Sequence, residues 1–321
     1  MDVGLTHRIM HEIDTGDNRP IRQHPRRIPY GEAREEATKQ VRELQEAGLI
    51  RPSNSPWAQP IVIVRKKDGT WRMCVDYRRV NSITRKDSFP LPRIDEALDS
   101  LAGSKHYCTI DLVKGYHQIP VRPQDVEKTA FVTHDGLFEY TAMPFGLCNA
   151  PGTCQRLMYL VLEGLVGKIC LTYLDDVLVF GDSIAQLLKR LEKILERLSG
   201  AGLKVKPKKC RFFKKQVTFL GHQVSAEGVK PDEEKIKGVM IWPEPTTVQG
   251  LQGFLGLVNY FNRYIPNYAA IAAPLYERTD GLKGNMSETL NRRTRGIYLL
   301  KEVPHKSRVV GPYTVAFLYC A

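Results

Sequence analysis

Apolar residues recur along this chain with two periods, one typical of helices and the other of strands. Residues 32–47 show the helical period, and Gly48 follows them as a stop signal. The apolar positions of that predicted helix are Ala33, Ala37, Val41 and Leu44. Between residues 50 and 225, short β-favouring runs are separated by turn residues and helical stretches. The pattern predicts a chain that mixes helices with short strands.

Two apolar runs around Asp68-Gly69 predict a β-hairpin. Residues 61–67 and 70–77 favour β-structure, and Asp-Gly between such runs is the strongest short-range hairpin signal. The hairpin is unusually basic, and its cations are Arg65, Lys66, Lys67, Arg72, Arg78 and Arg79. It is either a solvated basic ribbon or a ribbon that grips phosphates.

The rest of the pattern predicts further strands and helices. A second hairpin is predicted over residues 127–141 around Asp135-Gly136, and a strand pair over residues 217–224. Gly115 is predicted to permit a sharp bend after the strand at residues 107–112. The predicted helices cover residues 93–102, 149–162, 183–200, 232–241 and 248–264.

One short stretch, residues 171–180, places two adjacent carboxylates between two apolar runs. Asp175 and Asp176 are predicted to lie at the tip of a hairpin. Ionised carboxylates beside buried apolar surface are unfavourable unless a positive charge neutralises them. Taken alone, the stretch is best explained as a solvated Asp-Asp turn. A third acid at the end of the strand 107–112, Asp111, changes that interpretation.

Three carboxylates at strand ends, flanked by basic hairpins, suit two-metal phosphoryl chemistry. In that chemistry one metal ion activates an attacking hydroxyl and the second holds the departing phosphates, while acids from different strands hold both ions. Hard oxygen ligands favour Mg2+. The order of one acid, a helix and two adjacent acids is also found in nucleases and cyclases, so the spacing alone leaves the reaction open.

Charge and cysteine content narrow the class of partner and compartment. The 321 residues contain 47 Lys and Arg against 35 Asp and Glu, which gives a net charge of +12. Such an excess favours a polyanion, either nucleic acid or an acidic membrane surface. Seven scattered cysteines predict buried free thiols in a reducing compartment. The sequence shows neither a membrane-spanning run nor a signal peptide, so a cytosolic or nuclear protein is predicted.

The triplet Asp14-Thr15-Gly16 matches the active-site signature of aspartic proteases. Such a protease surrounds the triplet with apolar strands and pairs two copies of it. In this sequence a polar and basic run follows the triplet, and no second copy exists. A turn in an extended arm is therefore the better interpretation.

Several motifs, taken in order, resemble one family, the reverse transcriptases of gypsy-type LTR retrotransposons. The resemblance extends from about residue 7 to about residue 276. Its motifs are Val75–Arg78, Asp111-Leu112 with Gly115–Ile119, Met143–Leu147 with Asn149–Pro151, Tyr173–Asp176, Phe219–His222 and Phe254–Tyr260. Each motif is short, but their order and spacing together are specific.

This resemblance implies an α+β fold. The expected architecture is a right-hand polymerase with fingers, a palm made of an antiparallel sheet backed by helices, and a partial helical thumb. Residues 1–30 are expected to form an extended N-terminal arm, 31–228 the fingers and palm, and 229–276 thumb- or connection-like helices. Residues 277–321 lose the family pattern and are predicted to be a poorly ordered tail without ribonuclease H activity.

The resemblance also implies roles for individual residues. Asp111 and Asp175 are the implied main ligands of two metal ions, Mg2+ or Mn2+, with Asp176 and the backbone of Leu112 completing the set. Nucleotide binding is implied for Lys66, Arg72, Tyr116, Phe145 and Gly146, where Tyr116 excludes a ribose 2′-hydroxyl. Template or primer contacts are implied for Gln155, Phe219, Leu220, Gly221 and His222. Lys209 is implied as the proton donor to the leaving pyrophosphate.

The implied function is RNA-directed DNA polymerase activity. Such an enzyme extends a primer on an RNA or DNA template with deoxynucleoside triphosphates, without a membrane partner, in a cytoplasmic virus-like particle or in the nucleus. A homodimer or a polyprotein context is compatible with it. The alternative is a catalytically inactive, nucleic-acid-binding remnant of a retrotransposon polyprotein.

One cysteine and four histidines give two further expectations. Cys154 stands where the family usually has Phe, which predicts looser packing behind the nucleotide loop. Four histidines are interpreted as solvated or hydrogen-bonded and not as ligands; they are His106, His117, His134 and His222.

Overall fold

The structure is a computed structural model that describes residues 3–277 and residue 279, apart from Pro29, Lys67 and Ala102. The predicted tail therefore lies almost entirely outside the described residues. The described strands are β1 (Ile50–Pro52), β2 (Gln59–Arg65), β3 (Trp71–Val75), β4 (His106–Asp111), β5 (Phe131–Val132), β6 (Leu137–Tyr140), β7 (Cys170–Tyr173), β8 (Asp176–Gly181), β9 (Arg211–Lys214), β10 (Gln216–Phe219), β11 (His222–Ser225) and β12 (Gly228–Pro231).

Eight α-helices accompany these strands in the described part of the chain. They are α1 (Glu32–Glu46), α2 (Arg78–Ile83), α3 (Ile94–Asp99), α4 (Ala150–Val161), α5 (Ile184–Gly200), α6 (Glu233–Met240), α7 (Val248–Asn259) and α8 (Tyr268–Tyr276). The helices predicted from the apolar pattern are confirmed to within a few residues, except that the last predicted helix, 248–264, ends at Asn259 and continues only as a 3-10 turn, Asn262–Tyr264.

The chain divides into two compact units. The first comprises the described residues up to Arg93 together with Cys108–Phe180 and Ala185–Phe212; the second comprises Ile94–Tyr107, Gly181–Ile184 and the described residues from Phe213 onwards. These units do not coincide with the predicted boundaries at residues 30/31 and 228/229, because long-range strand pairing joins segments that are distant in the sequence. The assignment of fingers, palm and thumb by residue range stays a prediction.

A five-stranded sheet in the first unit has the order β1-β6-β5-β2-β3. The predicted basic hairpin is confirmed here, with Ile61 opposite Val75 and Arg65 opposite Trp71. The second predicted hairpin is only partly correct. Residues Pro123–Thr129 form a 3-10 helix, because Pro123 starts a helical turn and the Thr129 hydroxyl donates to the Val126 carbonyl at 2.6 Å.

A four-stranded sheet, ordered β7-β8-β4-β9, carries the strands that end in the acidic residues. The core beside it is continuous with buried faces of α4 and α5. The apolar residues of α5 that lie in this core are Leu187, Leu191, Ile194 and Leu198, as their helical spacing predicts. This packing fixes both β4 and the β7–β8 hairpin against one apolar layer.

The N-terminal segment packs against the rest of the first unit. Ile13 is buried in the main core, and His11 and Arg22 form isolated bridges to Val121 and Ala58. The Asp14-Thr15-Gly16 triplet lies in a turn in which the Gly16 amide donates to Asp14 Oδ1 at 2.9 Å. This local hydrogen bond agrees with the predicted turn.

The second unit contains a three-stranded antiparallel meander, β10-β11-β12, together with α6, α7 and α8. Helix α6 begins at the N-cap Asp232, whose carboxylate accepts from the Glu234 amide, and α7 begins at Thr247, whose hydroxyl accepts from Gly250. Both helix starts were predicted to within one residue from the sequence.

The cysteines agree with the prediction of free thiols. In the described part of the chain six cysteines are free, and Cys108, Cys154, Cys170 and Cys210 among them are buried. No helix of the described residues is long and apolar enough to cross a bilayer.

Two buried histidines should make the fold sensitive to acid. Burial lowers the pKa of His11 and of His117 to about 4, although the Asp125 carboxylate opposes this shift at His11. Below pH 6.5 the unfolded chain therefore binds more protons than the folded chain, and stability falls as the pH is lowered towards 4. We expect the free energy of unfolding to fall by about 2 kcal/mol per histidine between pH 7.5 and pH 5.

Urea unfolding at the two pH values measures this effect. His11→Gln should remove about 2 kcal/mol of the pH-dependent loss, whereas the control His24→Gln changes an exposed histidine of the same segment. An identical pH dependence in wild type and His11→Gln would contradict the assignment.

Candidate active site

The three acidic residues lie where strands of the four-stranded sheet end. Asp111 is the last residue of β4, Asp175 lies in the turn that follows β7, and Asp176 is the first residue of β8. The turn is tight, since Tyr173 pairs with Asp176 and only Leu174 and Asp175 stand between them. Leu174 has a left-handed backbone with φ 55, which is uncommon for a residue other than glycine. The predicted acidic hairpin tip is confirmed.

Gln155 holds this turn in place. Its side chain is fully buried; its Oε1 accepts from the Leu174 amide at 2.8 Å, and its Nε2 donates to the Thr172 carbonyl at 3.4 Å. The predicted template contact by Gln155 does not agree with this burial, which leaves no surface for a nucleic acid. The structure instead makes Gln155 a positioning residue for the acidic turn.

Gly115 permits a close approach and not the bend predicted for it. The left-handed residue in that loop is Lys114, with φ 47. A Cβ atom on Gly115 would lie 2.6 Å from Asp175 Cβ and 3.1 Å from its Oδ2. Only a residue without a side chain fits against Asp175 at this point.

A basic segment closes the other side of the acidic cluster. Lys209 Nζ lies 2.9 Å from Asp111 Oδ2, and the Lys206 amide donates to the Asp111 carbonyl at 2.8 Å. Leu112 forms an antiparallel bridge with Val205. Lys209 therefore lies beside the acids, and its role as a proton donor stays a prediction.

The electrostatics of the cluster reflect crowded negative charge. Burial, with a contribution from Asp111, raises the pKa of Asp175. Burial and the neighbouring carboxylates Asp175 and Asp111 raise the pKa of Asp176 to about 6. The hydrogen bond to Asp111 raises the pKa of Lys209, which keeps this amine protonated at neutral pH. The site therefore disfavours the charged forms of Asp175 and Asp176, and the positive charge of Lys209 offsets this effect only in part.

Such carboxylates fit a divalent cation in charge and in donor chemistry. Hard oxygen donors are those that Mg2+ takes, usually one or two carboxylates combined with substrate phosphates. Among the described residues no three His, Cys, Asp or Glu side chains converge on one metal position. The acids supply part of a coordination shell, and phosphate oxygens are the donors suited to complete it.

An aromatic wall lies beside the acids. Tyr116 stacks on Phe145 with ring centroids 4.9 Å apart. Burial raises the pKa of Tyr116, and the nearby Asp175 carboxylate contributes to this shift. The Arg72 guanidinium lies over Phe145, 5.3 Å from the ring centroid. Four of the predicted nucleotide-binding residues therefore come together; they are Arg72, Tyr116, Phe145 and Gly146.

The loop that carries Phe145 is fixed by hydrogen bonds which the sequence did not indicate. The Asn81 amide group donates to the Gly146 carbonyl at 2.8 Å, and Asn81 Oδ1 accepts from the Cys148 amide at 2.9 Å. Gly146 itself has φ 97, which favours glycine. Asn81 follows the predicted motif Val75–Arg78 by three residues. This proximity is the one sequence signal that could have indicated a role for Asn81 at the site.

Lys66 lies at the end of the basic hairpin, where its amide donates to the Thr70 carbonyl at 2.7 Å. Its side chain is exposed, and its charge acts on the Glu36 and Asp68 carboxylates. The assignment of Lys66 to nucleotide binding stays a prediction.

Gln118 was also missed by sequence reasoning as a structural link. Its amide group donates to the Val113 carbonyl at 2.8 Å and to the Lys204 carbonyl at 2.9 Å, and its Oε1 accepts from the Lys204 amide at 2.7 Å. Gln118 is buried and makes these three hydrogen bonds. They connect the chain after Asp111 to the basic segment that carries Lys209.

The predicted primer-contacting hairpin lies in the second unit. Phe219 and His222 are buried, and His222 Nδ1 lies 3.0 Å from the Tyr264 hydroxyl. Leu220 and Gly221 form the tip, both with positive φ, and the Tyr260 hydroxyl donates to the Leu220 carbonyl. The side chains of Phe219 and His222 therefore stabilise the hairpin from inside, and only its tip is available to a primer.

Comparison with known families identifies related sequences. A family model described as reverse transcriptase (RNA-dependent DNA polymerase) matches residues 64–224. The chain is 42% identical over 277 residues to the retrovirus-related Pol polyprotein from transposon 297 of Drosophila melanogaster, covering 84% of this chain and 26% of the relative. It is 36% identical over 289 residues to the corresponding polyprotein from transposon gypsy, covering 88% of this chain and 28% of the relative. The chain thus spans about a quarter of the length of these relatives.

Solved structures share the fold. The foamy viral protease-reverse transcriptase in complex with an RNA/DNA hybrid matches with a TM-score of 0.84 and 27% identity, covering 97% of this chain and 42% of that chain. The same protein in complex with dsDNA matches with a TM-score of 0.85 and 28% identity, covering 97% of this chain and 64% of that chain. The predicted polymerase fold is confirmed.

Proposed function

Because this chain belongs to the reverse transcriptase (RNA-dependent DNA polymerase) family, we propose that it extends a primer on an RNA or DNA template by nucleotidyl transfer. The observation that carries the proposal is that the three acids, the protonated Lys209 and the aromatic wall all lie in one compact unit. Phosphoryl transfer depends on positioning and on electrostatic stabilisation, and these groups supply both.

Two divalent ions, Mg2+ or Mn2+, are the cofactors we assign to the acids. Asp111 and Asp175 would hold them, with Asp176 and the Leu112 backbone completing the set. When bound, they activate the attacking hydroxyl and stabilise the leaving phosphates. Lys209 carries a proton at Nζ, 2.9 Å from Asp111, and we assign to it the protonation of the departing pyrophosphate.

The substrates follow from the surrounding groups. Arg72, held over Phe145, is suited to bidentate contact with a triphosphate, and Lys66 contributes a second positive charge. Tyr116 and Phe145 form the surface for the sugar and base. We infer that the template–primer is an RNA/DNA hybrid or a DNA duplex, as in the foamy viral complexes, whose proteins are similar in fold.

The wider assignments of compartment and assembly stay predictions. A cytoplasmic virus-like particle or the nucleus, and a homodimer or polyprotein context, are compatible with the proposed activity. No observation favours the inactive, nucleic-acid-binding remnant over an active polymerase, because the acids, the lysine and the aromatic wall are all present.

Primer extension on an RNA template tests the proposed function. The purified chain is incubated with a labelled DNA primer, all four deoxynucleoside triphosphates and Mg2+, and the product lengths are measured. Extension that is abolished by chelation supports the proposal. A folded protein that binds the template–primer without extending it would establish the remnant instead.

Tyr116→Ala should relax selection against ribonucleotides. The stacked ring limits the space beside the sugar, so its removal should admit a 2′-hydroxyl and raise ribonucleotide incorporation relative to deoxynucleotide incorporation by about tenfold or more. Single-nucleotide insertion with each substrate gives the ratio. Tyr116→Phe keeps the ring and is the matched control; an unchanged ratio in Tyr116→Ala would remove this residue from sugar selection.

A further inference from the structure

A short antiparallel pairing in the first unit joins the end of β4 to the basic segment after α5. Leu112 lies opposite Val205. The hydrogen bonds on either side of this pair run from the Lys206 amide to the Asp111 carbonyl at 2.8 Å and from the Val113 amide to the Lys204 carbonyl at 2.9 Å. We call residues 111–113 and 204–206 the acid–lysine ladder, because one of its strands contains Asp111 and the other leads directly to Lys209.

The position of Lys209 depends on the backbone of this ladder. The Lys209 side chain is 58% exposed, and its Nζ lies 2.9 Å from Asp111 Oδ2. The Lys209 amide donates to the Lys206 carbonyl at 2.9 Å, within the 3-10 turn Pro207–Lys209. A lysine side chain is long and flexible, so a fixed backbone is needed to keep its amine in one place. The distance between the amine and Asp111 therefore follows from the spacing of the two ladder strands.

One buried side chain holds both strands of the ladder. Gln118 is fully buried, and its Nε2 donates to the Val113 carbonyl at 2.8 Å on one strand and to the Lys204 carbonyl at 2.9 Å on the other. Its Oε1 accepts from the Lys204 amide at 2.7 Å. A glutamine side chain has two N–H donors and one carbonyl acceptor, and all of them are used here. Leucine would leave buried backbone groups of both strands without these hydrogen bonds.

The N-terminal segment packs closely on the same junction. Gly4 has φ 79, and a Cβ atom on it would lie 2.9 Å from Lys204 Cγ and 3.0 Å from Gln118 Oε1. The Thr6 amide donates to the Gln118 carbonyl at 2.8 Å. Only a residue without a side chain fits between the N-terminal backbone and the Gln118 amide group, which restricts the room in which Gln118 can move.

We propose that Gln118 is a positioning residue for nucleotidyl transfer, which acts by holding Lys209 opposite Asp111. The inference rests on the proposed function, in which Lys209 is the proton donor. The primer 3′-oxygen forms a bond to the α-phosphorus while the bond from that phosphorus to the bridging oxygen of pyrophosphate breaks, and the Nζ proton passes to this bridging oxygen. The proton of the primer hydroxyl leaves to solvent, and Lys209 takes a proton back from solvent.

A double-mutant cycle on primer extension tests the dependence on Lys209. Gln118→Leu should lower kcat by about tenfold and Lys209→Ala by about a hundredfold. In the Lys209→Ala background, Gln118→Leu should change kcat by less than about twofold, because no proton donor remains to be positioned. The matched control is Gln59→Leu, since Gln59 is also fully buried and donates to the Ile21 carbonyl at 3.1 Å. Its effect on kcat should be the same with and without Lys209.

Two nucleotide analogues separate proton donation from general damage to the site. They carry a methylene or a difluoromethylene bridge between the β- and γ-phosphorus atoms. The difluoromethylene bisphosphonate is the weaker base, so it needs less proton donation as it departs. Its rate advantage over the methylene analogue should rise by about tenfold in Gln118→Leu and in Lys209→Ala. In Gln59→Leu the rate advantage should stay at the wild-type value.

Acylation of lysines measures the position of Lys209 without any catalysis. The protein is treated with a limiting amount of acetic anhydride, and modified sites are quantified by mass spectrometry. Lys208, in the same 3-10 turn, serves as the internal reference. Gln118→Leu should raise the ratio of Lys209 to Lys208 modification severalfold, because the Lys209 amine is released from Asp111 and becomes accessible to the reagent.

Gly4→Ala disturbs the same junction while Gln118 stays in place. The new methyl group would press on the Gln118 amide, so the acylation ratio should rise and kcat should fall by about fivefold. Gly164→Ala is the matched control, because Gly164 has a similar φ of 74 but a Cβ atom there meets nothing within 4 Å. Thermal unfolding of every variant is compared with that of wild type.

Two results would overturn the proposal. One is an effect of Gln118→Leu on kcat that is the same with and without Lys209, and the other is an unchanged acylation ratio in the folded Gln118→Leu protein. If that variant does not fold, equal acylation ratios in Gly4→Ala and Gly164→Ala would overturn it instead. A wild-type chain that fails to extend a primer would refute the proposed function, whereas the acylation ratio still decides whether Gln118 positions Lys209.

Discussion

Replacing Asp175 with Asn should reduce primer extension by about a thousandfold while the protein stays folded. Asn is almost isosteric with Asp, so the turn between β7 and β8 keeps its shape and the Gln155 hydrogen bond to Leu174 is retained. The amide lacks the negative charge that a divalent ion requires. The loss should appear in kcat, because the charge matters most as the phosphates depart.

The same substitution should leave the free energy of unfolding unchanged or increased. Burial and Asp111 raise the pKa of Asp175, which means that the fold disfavours its charged form. An acid with a raised folded-state pKa lowers stability as the pH rises through that pKa, so a neutral amide relieves the penalty at neutral pH. A gain or constancy of stability combined with a loss of activity is the signature of a functional charge.

Steady-state extension and urea unfolding measure the two effects. Asp17→Asn, at an exposed turn of the N-terminal segment, is the control and should change neither quantity. Asp176→Asn should lose less activity than Asp175→Asn, because Asp176 has the lesser role in the proposed site. Activity of Asp175→Asn within tenfold of wild type would exclude this residue as a principal metal ligand.

Local patterns predicted the parts of this fold that depend on short stretches of sequence. The helical stripe from Leu187 to Leu198 and the Asp68-Gly69 hairpin were both predicted correctly, because each is encoded by neighbouring residues. The 3-10 helix Pro123–Thr129 was not, since the Thr129 hydroxyl that closes its last turn also accepts from the amide of Tyr140, a residue of β6 that is distant from this helix in the sequence.

The site was predictable as a set of residues but not as an arrangement. Sequence order identified Asp111, Asp175 and Asp176, yet the links that bring them together join residues far apart in the chain. Lys209 reaches Asp111 across 98 positions. The two buried glutamines, Gln118 and Gln155, are polar residues whose partners cannot be read from spacing. The template contact of Gln155 was implied by the family resemblance alone, and its hydrogen bonds to the acidic turn were not predicted.

Two residues close to the acids of the candidate site have strained backbone conformations. Lys114 and Leu174 both have positive φ although neither is glycine, and each lies within three residues of an acid of the site. Such conformations persist only where the surrounding structure determines them, and they cluster at functional sites. Local propensity therefore fails at these two positions because the arrangement of the acids overrides it.

Gly115→Ala tests this arrangement directly, and we expect it to reduce extension by about a hundredfold. The new methyl group would meet Asp175 Cβ at 2.6 Å, and a Cβ atom cannot rotate away as the end of a long side chain can. Either the Asp175 turn or the loop that carries Tyr116 must move. A displacement of about 1 Å is enough to lose catalysis on that scale.

Gly200→Ala is the matched control, because a Cβ at that position meets no atom within 4 Å. It should retain wild-type activity and gain a little stability from the higher helix propensity of alanine. In Gly115→Ala the affinity for template–primer should stay within a few-fold of wild type, since the lost contact concerns only the acids. Full activity of Gly115→Ala would mean that Asp175 tolerates displacement, which a metal ligand at the end of a rigid hairpin does not.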